Sequence, residues 1–352
     1  MLGAAVKGDE LVGIGVVGAG YWGPNLIRNF FTASGVDRVA VADRDHQRLE
    51  RIGALFPGVE LCADMEELLS DHRIQGIALA TPADSHFSLA SQVLEARKGV
   101  FVEKPLARSA DQCEELIRLA DTQKQVLMVG HTFEYNAAVQ YVEDCIERKE
   151  LGEVYYIYAQ RLNLGVVRRD VNALWNLAPH DISIALRWLK QMPIRVDARG
   201  YTYLQEGIED VVYLNLEFAN GVAVHIHVSW LDPGKVRRTT VVGSEKMIVY
   251  DDASTDAKIQ LFDKGIDRRG IEGSLGDFDS FGKFQLIQRA GDVLIPQIDF
   301  AEPLRTECQH FVECVAEGRT PITDGANGLR VVKVLEAASE SLAEGGASVA
   351  IH

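Results

Sequence analysis

Residues 13–30 read GIGVVGAGYWGPNLIRNF. A β-branched apolar run leads at once into Gly18, Gly20 and Gly23 in GxGxxG register, and then into a segment with helical apolar spacing. Each glycine answers a physical need. The first allows the tight turn, the second lets a pyrophosphate approach the backbone, and the third permits close packing of helix on strand. The pyrophosphate then sits at the positive end of the helix. The next apolar run, RVAVAD, ends at Asp43, 20 residues past Gly23, where a carboxylate accepts hydrogen bonds from ribose hydroxyls and repels a 2′-phosphate. The pattern predicts a dinucleotide site that takes NAD. Arg44 keeps NADP open as the less favoured alternative, because a guanidinium there can pair with that phosphate.

Further along, the runs GIALAT, GVFVE and QVLMVG continue the series, separated by helical patterns such as SLASQVLEARK. Continuous apolar strands alternating with helices imply right-handed βαβ units, so residues 1–130 are expected to form a doubly wound parallel α/β domain. In SADQCEELIRLADTQK, Ser109 is a candidate N-cap before Cys113, Leu116, Ile117 and Ala120. After about residue 150 the rhythm changes to alternation. In VAVHIHVSW, Val222 to Trp230 place apolar side chains on one face and His225, His227 and Ser229 on the other. Residues 131–352 are therefore expected to form an α+β substrate-binding and oligomerisation domain. Its large, mostly antiparallel open sheet would be covered on one face by helices, and its other face is open to a second subunit. Two C-terminal helical patterns follow, the last after Asp324, and the Gly- and charge-rich stretch 265–285 reads as a long loop or flap.

Composition excludes several classes. The chain of 352 residues carries a net charge of −15, which repels nucleic acid and anionic membranes, though local arginines can still bind a small anion. No apolar run reaches membrane-spanning length and the first residues lack a secretory core, so a soluble, cytoplasmic protein is expected. The five cysteines (Cys62, Cys113, Cys145, Cys308, Cys314) never form CxxC, which argues for reduced packing residues. No metal site is expected: His225 and His227 stand at i, i+2 on a strand without a third ligand.

Two side chains carry candidate chemistry. Lys104 ends the strand GVFVE, where ligands of a doubly wound sheet bind, although a lysine there is more often a solvated cap. His180 is read as opening the helix PHDISIALRWLK, with Pro179 in the first turn and the imidazole kept neutral by the positive helix end. Standing alone, such a histidine is more often structural. If the helix begins a turn earlier, near Trp175, Asn176 shares a face with His180 and can orient its ring. Arg161, Arg168 and Arg169 form a basic cluster able to grip a phosphate or carboxylate, with ion pairing to nearby acids an equal alternative.

The set GAGYWG, ATPADSH, EKPLA, WNLAPHDIS, EPLRTECQHFV and TPITDGANGLRVVKVLEAA resembles the Gfo/Idh/MocA oxidoreductases, from residue 18 to about 340. The resemblance implies hydride transfer between a nicotinamide and a carbohydrate carbon, with a Rossmann domain, a large open sheet and homodimers or homotetramers formed through it. It places the family's lysine on Lys104, its acid/base histidine on His180, and its cofactor positions on Gly18, Gly20, Tyr21, Trp22, Gly23, Asp43, Thr81, Pro82, His86 and Glu103. Tyr135, Arg161, Asn163, Arg168 and Asn176 join Lys104 and His180 as candidate substrate contacts. Family members with a lysine, aspartate, histidine set carry aspartate where this chain has Asn176, and some nucleotide-sugar branches carry asparagine. The expected activity is an NAD-dependent dehydrogenase or ketoreductase of a nucleotide-linked sugar, C3 favoured, in glycan or glycosylated natural-product synthesis. A free polyol or cyclitol dehydrogenase and a non-catalytic dinucleotide sensor are the alternatives.

Overall fold

A computed structural model of the chain describes residues 11–165, 167–267 and 287–352. The expected flap at 265–285 lies almost wholly outside them. Strands β1 (Val12–Val17), β2 (Val36–Ala42), β3 (Glu60–Cys62), β4 (Gly76–Leu79), β5 (Gly99–Glu103) and β6 (Leu127–Gly130) make a parallel sheet in the order β3-β2-β1-β4-β5-β6. Helices α1 (Gly23–Phe31), α2 (His46–Leu55), α3 (Met65–Ser70), α4 (His86–Glu95) and α5 (Ala110–Gln123) form its crossovers. Covering both faces is why β1, β4, β5 and β6 are buried at every position. The strand order reverses between β1 and β4, and ligands of such sheets bind in the crevice beyond the strand ends there. Ser109 caps α5 as expected, accepting from the Gln112 N–H at 3.2 Å.

The chain then builds α6 (Ala137–Glu147), β7 (Val154–Leu162), α7 (Ala173–Leu189), β8 (Pro193–Tyr201), β9 (Val211–Phe218), β10 (Ala223–Ser229), β11 (Val236–Gly243), β12 (Met247–Asp251), β13 (Ile259–Asp267) and β14 (Ile287–Leu294). It closes with α8 (Pro303–Glu317), α9 (Gly325–Ala343) and β15 (Val349–Ala350). Among the described residues the second sheet runs β14-β13-β12-β11-β7-β10-β9-β8-β15, antiparallel except where β10 lies parallel to β7. Its inner face, which includes Val222, Val224, Ile226, Val228 and Trp230, packs on α7 and α9 in one apolar core. His225 and His227 point the other way: the first meets Asn215 at 2.5 Å, and the second stacks on Tyr213 with ring centres 4.3 Å apart.

The first sheet takes the strands up to Gly130 and the second those from Val154 on, but the C-terminal helices do not all stay with the second. Helix α8 returns to the first sheet, where Cys308, Phe311 and Val312 share a core with Ile14, Phe30 and Phe101. Phe30, Phe101 and Phe311 pack edge-on with centroids 5.8–6.3 Å apart, a geometry aromatic rings favour. The apolar stripe of α8 was legible in the sequence; which sheet it would cover was not. Among the described residues no helix is long and apolar enough to cross a membrane.

Candidate active site

One cavity of about 1360 Å³ runs from the Gly18 turn, past the ends of β4 and β5, to α7 and the near ends of β7 and β11. At one end, Gly18 holds φ +100°, a conformation open to glycine. A Cβ on Gly23 would lie 2.1 Å from the Gly18 carbonyl oxygen, so helix and turn approach as closely as the motif requires. Gly20 faces open space apart from the tip of Arg48. Asp43 lines the same end, with its Oδ2 taking the Ala19 N–H at 2.6 Å and its Oδ1 taking the Asp45 N–H at 2.8 Å. The cation nearest that carboxylate is Arg48, at 3.8 Å, while Arg44 stands on the cavity wall. The glycine cradle and a carboxylate at the end of β2 together fit an adenosine diphosphate moiety carrying free ribose hydroxyls.

Tyr21, Trp22, Thr81, Pro82 and Glu103 also line the cavity. The Trp22 indole donates to Glu103 Oε1 at 2.5 Å, tying the glycine turn to the end of β5. His86 does not reach the cavity wall: it is buried, with Nδ1 2.7 Å from the Pro105 carbonyl and Nε2 2.9 Å from the Thr81 carbonyl, so it braces the two turns that do. Tyr135 is likewise removed from substrate. It is buried in the core of the first sheet, its hydroxyl 3.2 Å from Thr323 Oγ1. The apolar body of a tyrosine that ends a short helical turn packs where burial is available, which sequence spacing does not reveal.

Helix α7 corrects the expected helix start. Asn172 caps it, accepting from the Trp175 N–H at 3.1 Å, so Pro179 lies inside the helix and His180 is two turns from the positive end. An internal proline gives no N–H to the helix and opens the carbonyls before it. Lys104 donates from Nζ to the Asn176 carbonyl at 2.9 Å, which docks the lysine beside the histidine helix. The Lys104–Pro105 peptide is cis. Asn176 and His180 share the cavity-facing side of the helix, yet no hydrogen bond joins them. Asn176 Oδ1 accepts from the Trp230 indole at 3.2 Å, and His180 Nδ1 is buried without a hydrogen-bond partner among the described residues.

The electrostatics follow from burial and crowding of cations. His180 is held well below the ordinary imidazole range, first by burial, then by the positive charge of Lys104, Arg161 and Arg237. The expected neutral imidazole is thus present, for a different reason than a helix terminus. Burial also lowers Lys104 and raises its neighbour Glu103, each opposed by the attraction between the two. A carboxylate in place of the amide at position 176 stabilises imidazolium, so Asn176→Asp is expected to raise the His180 pKa. The acid limb of kcat/KM for alcohol oxidation then moves to higher pH. An unmoved acid limb in that variant contradicts this account of the site.

Two arginines of the basic cluster, Arg161 and Arg168, form ion pairs. Arg161 makes a buried two-point bridge to Asp181, with Nε–Oδ2 at 2.7 Å and Nη2–Oδ1 at 3.0 Å, and its guanidinium lies 4.5 Å above the Phe133 ring centre. Arg168 pairs with Asp170 at 2.5 Å on the exposed rim, and Asn163 lines the wall between them. Arg161 is therefore no free anion grip. Asp181, the residue after His180, is its counter-ion, because helix periodicity turns it toward β7. Removing one partner of a buried pair leaves an uncompensated charge, so Asp181→Ala is expected to cost about 3–5 kcal/mol in urea unfolding. A midpoint equal to wild type would disprove that role. Phe133, Arg237 and Asp252 also line the cavity and escaped the sequence reading, since only strand register brings β11 beside β7.

A glycine turn that cradles a dinucleotide, opening into one cavity with a lysine and a neutral histidine, defines a nicotinamide-dependent oxidoreductase. The comparisons agree. A family model described as an oxidoreductase family with an NAD-binding Rossmann fold matches residues 12–131, and one for the GFO/IDH/MocA C-terminal domain matches residues 139–249. The chain belongs to the Gfo/Idh/MocA oxidoreductase family. It is 25% identical to scyllo-inositol 2-dehydrogenase (NAD(+)) of Bacillus subtilis, over 96% of each chain. It is 22% identical to UDP-N-acetylglucosamine 3-dehydrogenase of Acidithiobacillus ferrooxidans, over 90% of this chain and 93% of that one. Some other curated relatives are matched over only about 60% of their length. GenD2 from gentamicin A biosynthesis, solved with NAD, shares the fold with a TM-score of 0.82 and 23% identity, covering 100% of this chain and 99% of its own.

Proposed function

We propose that this protein is an NAD-dependent dehydrogenase or ketoreductase that moves hydride between the nicotinamide and a ring carbon, C3 favoured, of a nucleotide-linked sugar in glycan or glycosylated natural-product synthesis. The observation that carries the reading is the convergence of Lys104 and His180 on the cavity that begins at the Gly18 turn. That cavity exceeds the roughly 300–1,000 Å³ of an ordinary ligand site, as a dinucleotide plus a large substrate demands. The exposed Arg168–Asp170 pair is weakly held and can exchange its carboxylate for a substrate diphosphate. Asn176 and the likeness to a UDP-N-acetylglucosamine 3-dehydrogenase point the same way.

NAD, when bound, accepts or returns the hydride at nicotinamide C4. In oxidation, His180 takes the proton of the substrate hydroxyl, which a neutral imidazole can do at pH 7. Lys104, positioned by the Asn176 carbonyl, donates a hydrogen bond to the same oxygen and stabilises the negative charge that develops there. Reduction reverses each step. The retained lysine and histidine weigh against a silent dinucleotide sensor.

A free polyol or cyclitol as substrate is the second reading, favoured by the acid partner that each of Arg161, Arg168 and Arg237 carries. Absorbance of the reduced cofactor with UDP- and dTDP-sugars beside inositol separates the two. Turnover of inositol but not of nucleotide sugars removes the first reading; NAD binding without turnover of any sugar removes both. A homodimer or homotetramer through the outer face of the second sheet, where Tyr156, Tyr158, Tyr201 and Tyr213 are 38–46% exposed, completes the proposal. A monomer by light scattering overturns that part.

A further inference from the structure

Arg161 and Arg237 stand directly opposite each other on β7 and β11. Like charges at facing positions of an antiparallel pair are destabilising, so the pair needs either neutralisation or a use. Arg161 is neutralised, since Asp181 takes both its Nε and its Nη2. Arg237 is not matched in the same way. Among the described residues it makes one long side-chain contact, Nη1 to Asp252 Oδ2 at 3.3 Å, and the other oxygen of that carboxylate is shared by the Tyr250 hydroxyl at 3.2 Å and Asn136 Nδ2 at 3.4 Å. Among the described residues most of the Arg237 fork has no partner, on a side chain 36% exposed that lines the cavity.

Its placement ties it to the reacting centre. The Phe133 ring packs edge-on to the His180 imidazole with centroids 4.9 Å apart. The same ring lies 4.5 Å from the Arg161 guanidinium and 5.8 Å from that of Arg237. Stacking on Phe133 restrains Arg237 without using its N–H donors, which suits a planar two-point contact with an oxyanion.

We propose that Arg237 is a specificity-determining residue that receives an oxyanion carried by the substrate, either a carboxylate on the reacting sugar or the diphosphate of a nucleotide sugar. This rests on the sugar-dehydrogenase reading above, with His180 as the acid/base. The oxyanion completes the neutralisation of the arginine pair. It also brings negative charge near His180, whose surroundings are otherwise cationic.

Calorimetric titration of the NADH-loaded protein tests this independently of turnover, because the reduced cofactor cannot oxidise an alcohol ligand. The ligands are glucuronate, which offers a carboxylate, UDP-glucose, which offers a diphosphate, and glucose, which offers neither. Wild type is expected to bind at least one oxyanion ligand more tightly than glucose. Arg237→Gln is expected to weaken that ligand by about 10- to 100-fold and to leave glucose unchanged, and Arg237→Lys to keep part of the gain. The ligand that weakens identifies the source of the oxyanion. Equal binding of all three ligands by wild type, no detectable binding, or an advantage that survives Arg237→Gln overturns the proposal. Loss of the enzyme reading itself shows separately, as absent turnover with NAD in the absorbance assay.

Discussion

Replacing His180 with alanine is expected to lower kcat by about two to four orders of magnitude while leaving NAD affinity nearly intact. The size follows from removing the group that takes the hydroxyl proton at a buried site. Water is a poor replacement there, because Arg161, Arg237 and Phe133 fill the surroundings. Cofactor affinity is spared because the glycine turn and Asp43 lie at the other end of the cavity. The imidazole is neutral in the free site, so oxidation by wild type is expected to hold its rate as pH falls through the ordinary histidine range, where a solvent-exposed histidine base would already be lost. Stopped-flow absorbance of NADH with each variant measures both quantities. Wild-type kcat in His180→Ala, or a cofactor Kd that rises in step with the loss of rate, would rule out the assigned role.

Replacing Lys104 with alanine is expected to depress kcat by about two to three orders of magnitude, the usual consequence of losing a donor aimed at a developing oxyanion. The loss falls on kcat more than on KM if the lysine acts mainly in the transition state. Burial lowers Lys104 below the ordinary lysine range, so the alkaline limb of wild-type activity is expected at lower pH than an exposed lysine would set. That limb should disappear from whatever rate remains in Lys104→Ala. A variant that retains an alkaline limb, or one that loses only substrate affinity, argues that Lys104 serves binding and that proton control lies elsewhere.

The division between what could and could not be read from the chain follows range in sequence. The GxGxxG turn, Asp43, the strand that ends at Lys104, the Ser109 cap and the alternation of Val222 to Trp230 depend on residues a few positions apart, and each lies where that spacing puts it. What that spacing does not show is chiefly what a side chain meets across the fold. Tyr135 and His86 were read as ligand contacts and are bracing residues, because packing against Thr323 and the Pro105 turn decides their surroundings. His180 was read at a helix start with an earlier start near Trp175 left open, and capping by Asn172 selects the earlier start and absorbs Pro179 within the helix. The neutral imidazole stands because burial, not the helix dipole, supplies the cause.

Local periodicity, backbone geometry and a recognisable set of motifs were enough to read the Rossmann half, NAD as its cofactor, and Lys104 and His180 as the residues proposed for the chemistry. How the charges pair emerges only in the folded chain. Folding joined Arg161 to Asp181, set Arg237 opposite Arg161, docked Lys104 on the Asn176 carbonyl and sent α8 to the first sheet. Coulomb attraction and burial act through space, and sheet register and domain packing alone bring such residues within reach of one another.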